Sequence, residues 1–346
     1  MSALDRHGER LAWIDVTRGF AVFLVVFYHV VIALAVTPTA APLWASTLND
    51  AASPFRIPTL MFCSGMLLPR SLGKPTREYI GGKLRNIGWP YVVWTAVIVA
   101  LLVGGSQVAG HGHYGVSRIW SIVTDDGTYT WYLAYLLLYY LISLVVPARI
   151  RTFSIPFLLA ASAVIHDGDG WTRLTFLLAF FFLGDAVTRH YPDWLRLVRH
   201  RWVEALAAAA ALVLAVYSTQ VFVRYTLITA LGVVGVAILA EPVGSLVARS
   251  RVGGWLSAIG RDSIVYYTTH WIVVTAAVHV LDRLHVRNGS VLVVALMVLG
   301  VAVPGVMVLL RRRSRIVAAL YAWPKRAPSA VRAPRPTVPP APAVSD

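Results

Sequence analysis

The feature that most limits the fold of this chain is its recurring apolar runs, several of them 18 residues or longer. A run of that length matches the hydrocarbon thickness of a bilayer when wound as a helix. Ten such segments can be marked, at about 11–37, 55–69, 86–104, 129–147, 154–166, 173–187, 202–219, 225–243, 263–281 and 291–310. The fifth and sixth are short, which predicts tilted, broken or partly buried helices there. Only 14% of the residues are charged, against about 25% in soluble domains, too few to cover two water-facing surfaces. The expected fold is an all-α polytopic membrane protein of about ten transmembrane helices. Asp15 and Arg18 interrupt the first run and further runs follow it, so the start of the chain reads as a span and not as a cleaved leader.

A net charge of +15 would suggest nucleic acid if it formed one stripe. Here the cations follow the loops. With the amino terminus inside, 24 Lys and Arg fall on inner connections, six fall outside or at outer span ends, and Arg18 lies within the first span. That bias places both termini in the cytoplasm and leaves the bilayer, not nucleic acid, as the charged surface. The single Cys63 cannot form an internal disulfide, and no zinc-type spacing occurs. His111-x-His113 lacks a carboxylate companion, so no metal is expected. Residues 1–315 read as one membrane domain and 316–346 as a tail. Ala327–Asp346 is rich in Pro and Ala, a composition that predicts disorder in the cytoplasm. Richness in Arg and Ala fits a GC-rich bacterial source, and hence a bacterial cell membrane.

Ionisable groups inside spans are costly and mark functional candidates. The first run holds Asp15, Arg18 and His29. Asp15 and Arg18 are three apart and can pair. Arg18 and His29 are eleven apart, which leaves an angular offset of only ~20° and a rise of ~16 Å. One face therefore carries a cation suited to an anionic ligand and, deeper, an imidazole able to exchange protons. The same residues also fit a helix anchored at the interface above a hydrogen-bonded core histidine, and spacing alone leaves both open.

The motifs in order are Asp15-x-x-Arg18-Gly19-x-Ala21 with His29, then Phe55-Arg56-x-Pro58 and Phe62-x-Ser64-Gly65. Arg85 precedes Trp89-Pro90-Tyr91, Trp131-Tyr132-Leu133 opens the fourth run, and Gly260-x-x-Ser263-x-x-Tyr266-x-x-x-His270 comes last. This series resembles the acyltransferase-3 family of integral-membrane acyltransferases from Asp15 to His270. The resemblance implies transfer of an acyl group, commonly acetyl from acetyl-CoA, onto an extracytoplasmic hydroxyl of a cell-envelope glycan or glycolipid. It implies His29 as the catalytic histidine and Arg18 as an essential donor-side residue. Acyl-CoA is then a co-substrate, and no permanently bound cofactor is expected. The chain departs from the family in one place: relatives often carry Arg-x-x-Arg before the Pro-Tyr element, and here the cations are Lys83 and Arg85.

The chemistry of the residues is compatible. Lys74, Arg77, Lys83 and Arg85 offer cations where CoA phosphates would arrive, although inner-loop charge bias accounts for the same loop. A desolvated His29 is a competent base, and direct transfer or an acyl-histidine both remain open. Ser64 is a donor-side candidate. Arg56, Gly65, Trp131, Tyr132 and His270 are supporting or acceptor-side candidates. For each of these, ordinary packing, interfacial snorkelling or an aromatic belt is an alternative. Asp185 and Glu241 read as helix anchors at span ends. The competing function is a proton-coupled transporter or flippase using Asp15, Arg18 and His29 as a relay, but no internal repeat supports it.

Overall fold

The computed structural model describes residues 12–35, 37–108, 128–165, 170–221, 223 and 225–324. Among them are sixteen α-helices and no strand. In chain order they are α1 (Ala12–Leu34), α2 (Leu43–Ala52), α3 (Arg56–Gly65), α4 (Leu68–Leu72), α5 (Thr76–Lys83), α6 (Trp89–Val108), α7 (Trp131–Val145) and α8 (Ala148–Val164). Then follow α9 (Gly170–Arg189), α10 (Tyr191–Val198), α11 (Arg201–Ser218), α12 (Leu227–Ala248), α13 (Arg251–Arg261), α14 (Ser263–Arg283), α15 (Gly289–Arg313) and α16 (Arg315–Tyr321). A π-helical turn, Leu84–Gly88, joins α5 to α6. The segments containing His111, His113 and Ala327–Asp346 lie outside the described residues.

Seven helices are long and apolar enough to cross a membrane: α1, the continuous Thr76–Gly104 stretch, α9, α11, α12, α14 and α15. The chain is a polytopic helical membrane protein. Each of the ten apolar runs has a helix at its core, but their lengths differ from expectation. The sixth run is not short: α9 has 20 residues because the helix continues past both ends of the apolar run, from Gly170 to Arg189. The second is the broken one, with α3 and α4 separated at Met66–Leu67.

Helix α1 is the centre of the bundle, packed by α3, α12, α13, α14 and α15. Its Val22, Val25, Val26 and Val30 are buried, so the β-branched stretch that would weaken an isolated helix forms a rigid apolar rod here. Outward side chains such as Leu206, Leu212, Leu231 and Val298 are exposed, as a lipid-facing surface requires.

Without a hydrophobic drive between helices in lipid, association relies on close packing of small residues. Two reciprocal glycine contacts provide it. A Cβ on Gly19 would lie 1.9 Å from the Leu256 carbonyl oxygen, and one on Gly260 would lie 1.9 Å from that of Asp15. Likewise a Cβ on Gly65 would lie 1.9 Å from the Phe181 carbonyl oxygen, and one on Gly184 2.1 Å from that of Phe62. Backbone cannot give way at those distances. Gly65→Ala and Gly184→Ala are therefore expected to destabilise the protein by about 1–3 kcal/mol each. Gly81→Ala, where a Cβ meets open space, should leave the melting temperature in detergent unchanged. Equal melting of all three would refute the close-packing account.

The folded part runs past residue 315, contrary to the tail boundary drawn from composition. Ser314 Oγ accepts from Val317 N–H to start α16, and Tyr321 is buried. A helix of only seven residues is too short to show a period, so composition misassigns it.

Candidate active site

Helices α1 and α14 bring two histidines together. His29 Nδ1 lies 2.9 Å from the Val25 carbonyl oxygen and 3.0 Å from His270 Nε2. His270 Nδ1 lies 2.8 Å from the Tyr266 carbonyl oxygen. Carbonyls only accept, so in the neutral rings both Nδ1 atoms carry the proton. His270 Nε2 is then an acceptor for the His29 N–H, and the lone pair of His29 falls on its Nε2. A proton arriving there makes an imidazolium whose Nδ1–H still faces His270 Nε2. The arrangement is that of a base with a fixed tautomer and a partner for its charged form.

Aromatic rings enclose the pair. Tyr129 meets His29 and His270 edge-on at centroid distances of 6.0 and 5.6 Å. Its hydroxyl donates to the Thr268 carbonyl, and Tyr267 OH donates to the Tyr129 carbonyl. On the other side Tyr28 packs edge-on against His29 at 4.9 Å.

Beyond each tyrosine layer lies a cavity. The first, about 290 Å³, is lined by Arg18, Ser64, Asn86, Tyr132, Tyr140 and Tyr267 among others. Arg18 Nη2 donates to the Cys63 carbonyl at 3.2 Å. Arg18 thereby ties α1 to α3, and Asp15, three positions earlier on α1, is buried. Tyr140 OH donates to the Ser64 carbonyl at 3.0 Å, and the Ser64 and Tyr132 hydroxyls are 3.4 Å apart. Asn86 and Ile87, on the π-helical turn, also line a smaller polar pocket of about 160 Å³ with Ser71, Lys74, Glu78 and Lys83. Lys83 Nζ donates to Ser71 Oγ at 3.0 Å and sits 3.3 Å from the centroid of the Tyr140 ring.

The second cavity, about 220 Å³, is bordered by Asn49, Asp50, Ser53, Arg56, Ser218 and Gln220. Arg56 does not snorkel. It is 5% exposed, donates to Asn49 Oδ1 at 2.8 Å and lies 4.5 Å over the Tyr28 ring. Arg18 and His29 occur in that order along α1, whereas along α3 Arg56 precedes Ser64. Since Ser64 lines the cavity of Arg18 and Arg56 reaches His29 through Tyr28, α1 and α3 are antiparallel and the cavities open at opposite ends. They share no lining residue.

Four expected residues lie elsewhere. Arg85 is two positions from Lys83, roughly 200° around the helix. It lines an apolar cleft with Trp89 and Leu137, its Nε donating to the Trp323 carbonyl at 2.5 Å. Trp131, one position from Tyr132, turns away and stacks under Arg173 at 4.3 Å. Gly65 serves the α3–α9 contact. Asp15 is buried but lines neither cavity. Tyr28, Asn49, Asn86, Tyr129 and Tyr267 escaped the sequence reading. Tyr267 had a signal, since Ser263, Tyr267 and His270 follow the i, i+4, i+7 spacing of one helical face. Among the described residues no cluster of three or more His, Cys, Asp or Glu is placed to hold a metal.

Neither the curated proteins nor the solved structures yield a match to the chain. The model of the acyltransferase domain, Acyl_transf_3, matches residues 11–310, which takes in both cavities and the histidine pair. The chain belongs to the acyltransferase-3 family and is a membrane acyltransferase.

Proposed function

We propose that the protein takes an acyl group, acetyl in the simplest case, from acyl-CoA at the Arg18 end and delivers it to a hydroxyl arriving at the Arg56 end. The acceptor is an extracytoplasmic cell-envelope glycan or glycolipid. The observation that carries this reading is the His29–His270 pair standing between two separate cavities, reached through Tyr267 on one side and through Tyr28 and Arg56 on the other. The Lys and Arg bias supports a cytoplasmic Arg18 end, and the reading takes the protein as a ten-span protein of a bacterial cell membrane. Family membership favours this enzyme over a transporter.

In this reading Lys74 and Lys83 attract CoA phosphates at the entrance, and Arg18 holds the inner part of the donor. The acceptor O–H gives its proton to His29 Nε2 while the oxygen attacks the thioester carbonyl carbon. The C–S bond then breaks, the acyl group stays on the acceptor oxygen, and the CoA thiolate takes the proton from the His29 imidazolium. His270 stabilises that imidazolium through the Nδ1–Nε2 hydrogen bond. Arg56 and Asn49 bind acceptor hydroxyls from the opposite side.

Membranes holding the protein and given acetyl-CoA labelled in the acetyl group should pass label into a lipid or glycan fraction. Arg18→Ala should abolish it at matched protein level. Lys83→Ala should raise the KM for acetyl-CoA about tenfold, as loss of a charge-assisted phosphate contact does. No protein-dependent label with any acyl-CoA across envelope acceptors would overturn the reading.

A further inference from the structure

Three consecutive residues of α14 are each held by a different element. The Thr268 carbonyl accepts from Tyr129 OH, Thr269 Oγ1 pairs with Tyr321 OH at 2.9 Å, and His270 Nε2 meets His29. Successive helical positions differ by 100°, so these ties grip α14 over about 200° of its circumference. Together they fix its rotation and height, and so where His270 stands.

One of the three ties comes from α16, the short helix beyond the last apolar run. Tyr321 is 1% exposed, its ring 5.4 Å from Trp94. Trp89 Nε1 donates to the Ala319 carbonyl at 2.6 Å, and Trp323 packs edge-on against Trp89 at 4.3 Å. Arg85 closes the strap twice. Its Nε donates to the Trp323 carbonyl, and its own carbonyl accepts from Trp323 N–H at 3.2 Å. A segment so anchored on α6 transmits the position of that helix to Thr269.

We propose that Tyr321 is a positioning residue for His270. The C-terminal strap, through the Tyr321–Thr269 hydrogen bond, sets the rotation of α14 at which His270 Nε2 faces His29 Nδ1. This also gives Arg85 a role, as the anchor of the strap and not as a donor ligand. The catalytic consequence rests on the acyl-transfer reading above; the structural one does not.

The test uses the full chain in lipid nanodiscs, with two readouts. Tyr321→Phe keeps the buried ring and removes the hydroxyl. It should lower kcat about tenfold, as a small misplacement of a reacting group does, with KM for both substrates and thermal stability unchanged. Thr269→Val should do the same, Thr269→Ser should restore the rate, and the double variant should be no slower than the slower single. By ¹⁵N-histidine NMR, with His270 assigned by its loss in His270→Gln, the His270 resonances should shift in Tyr321→Phe and return in Thr269→Ser. Native kcat with native resonances, or losses that add in the double variant, would overturn the proposal. If the native protein transfers no label, the acyl-transfer reading fails, and unchanged resonances alone then overturn the positioning role.

Discussion

Replacement of His29 by alanine should lower acyl transfer by about 10²–10⁴-fold, the contribution of a positioned general base, while KM for the acyl donor stays near its native value. The reason is the tautomer. Val25 and His270 both engage Nδ1, so only His29 Nε2 has a lone pair to offer, and alanine removes it without touching Arg18, Ser64 or Lys83. His270→Gln should cost less, because a side-chain amide oxygen can still accept from His29 Nδ1. Label transfer at saturating donor, at matched protein levels and checked for a native melting profile, separates the two. A His29→Ala protein that is folded and transfers at the native rate would remove His29 from the chemistry.

The second large effect is on stability. Asp185 is fully buried and accepts from Arg151 Nε at 2.8 Å and Arg189 Nη2 at 2.7 Å. Arg151, also buried, donates further to the Ser143 and Val146 carbonyls at 2.8 and 2.6 Å. Asp185→Ala would leave a buried guanidinium uncompensated, at a cost of about 3–5 kcal/mol. The variant should accumulate poorly and melt well below the native protein in detergent. Combining Asp185→Leu with Arg151→Met removes both buried charges and should recover much of the loss, since well-packed apolar residues often replace such pairs without penalty. A single variant that melts like the native protein would show that the pair contributes little.

The sequence reading succeeded where one helix carries its own signal. The R-x10-H spacing of Arg18 and His29 rests on α1 periodicity alone, and the helical character of the apolar runs on their length. It failed where the answer depends on how one helix is turned against another. Arg18 also reaches the Cys63 carbonyl, 45 positions away on α3, a partner that no spacing on α1 announces. Lys83 and Arg85 look alike in a basic loop, and only the helical turn between them sends one toward the Arg18 cavity and the other toward Trp323. His270 stood out by motif, yet its contact with His29 joins residues 241 apart, which no local pattern encodes. Asp185 read as a surface anchor because a charge at the end of an apolar run normally meets water, whereas here α8 supplies Arg151.

The two cavities share no lining residue: Tyr267 stands between the first and His270, and Tyr28 between His29 and the Arg56 of the second. A route that carried an acyl group through an open pore would also carry protons and ions, and the cell would lose its membrane potential with every turnover. In the proposed reaction only the reacting bond spans the divide between the two cavities. In that reaction the carbonyl comes from one compartment and the hydroxyl from the other, and they meet at the buried His29 imidazole. In that reading the aromatic rings around the histidine pair also shelter the thioester from bulk water, which holds down futile hydrolysis of the activated acyl group.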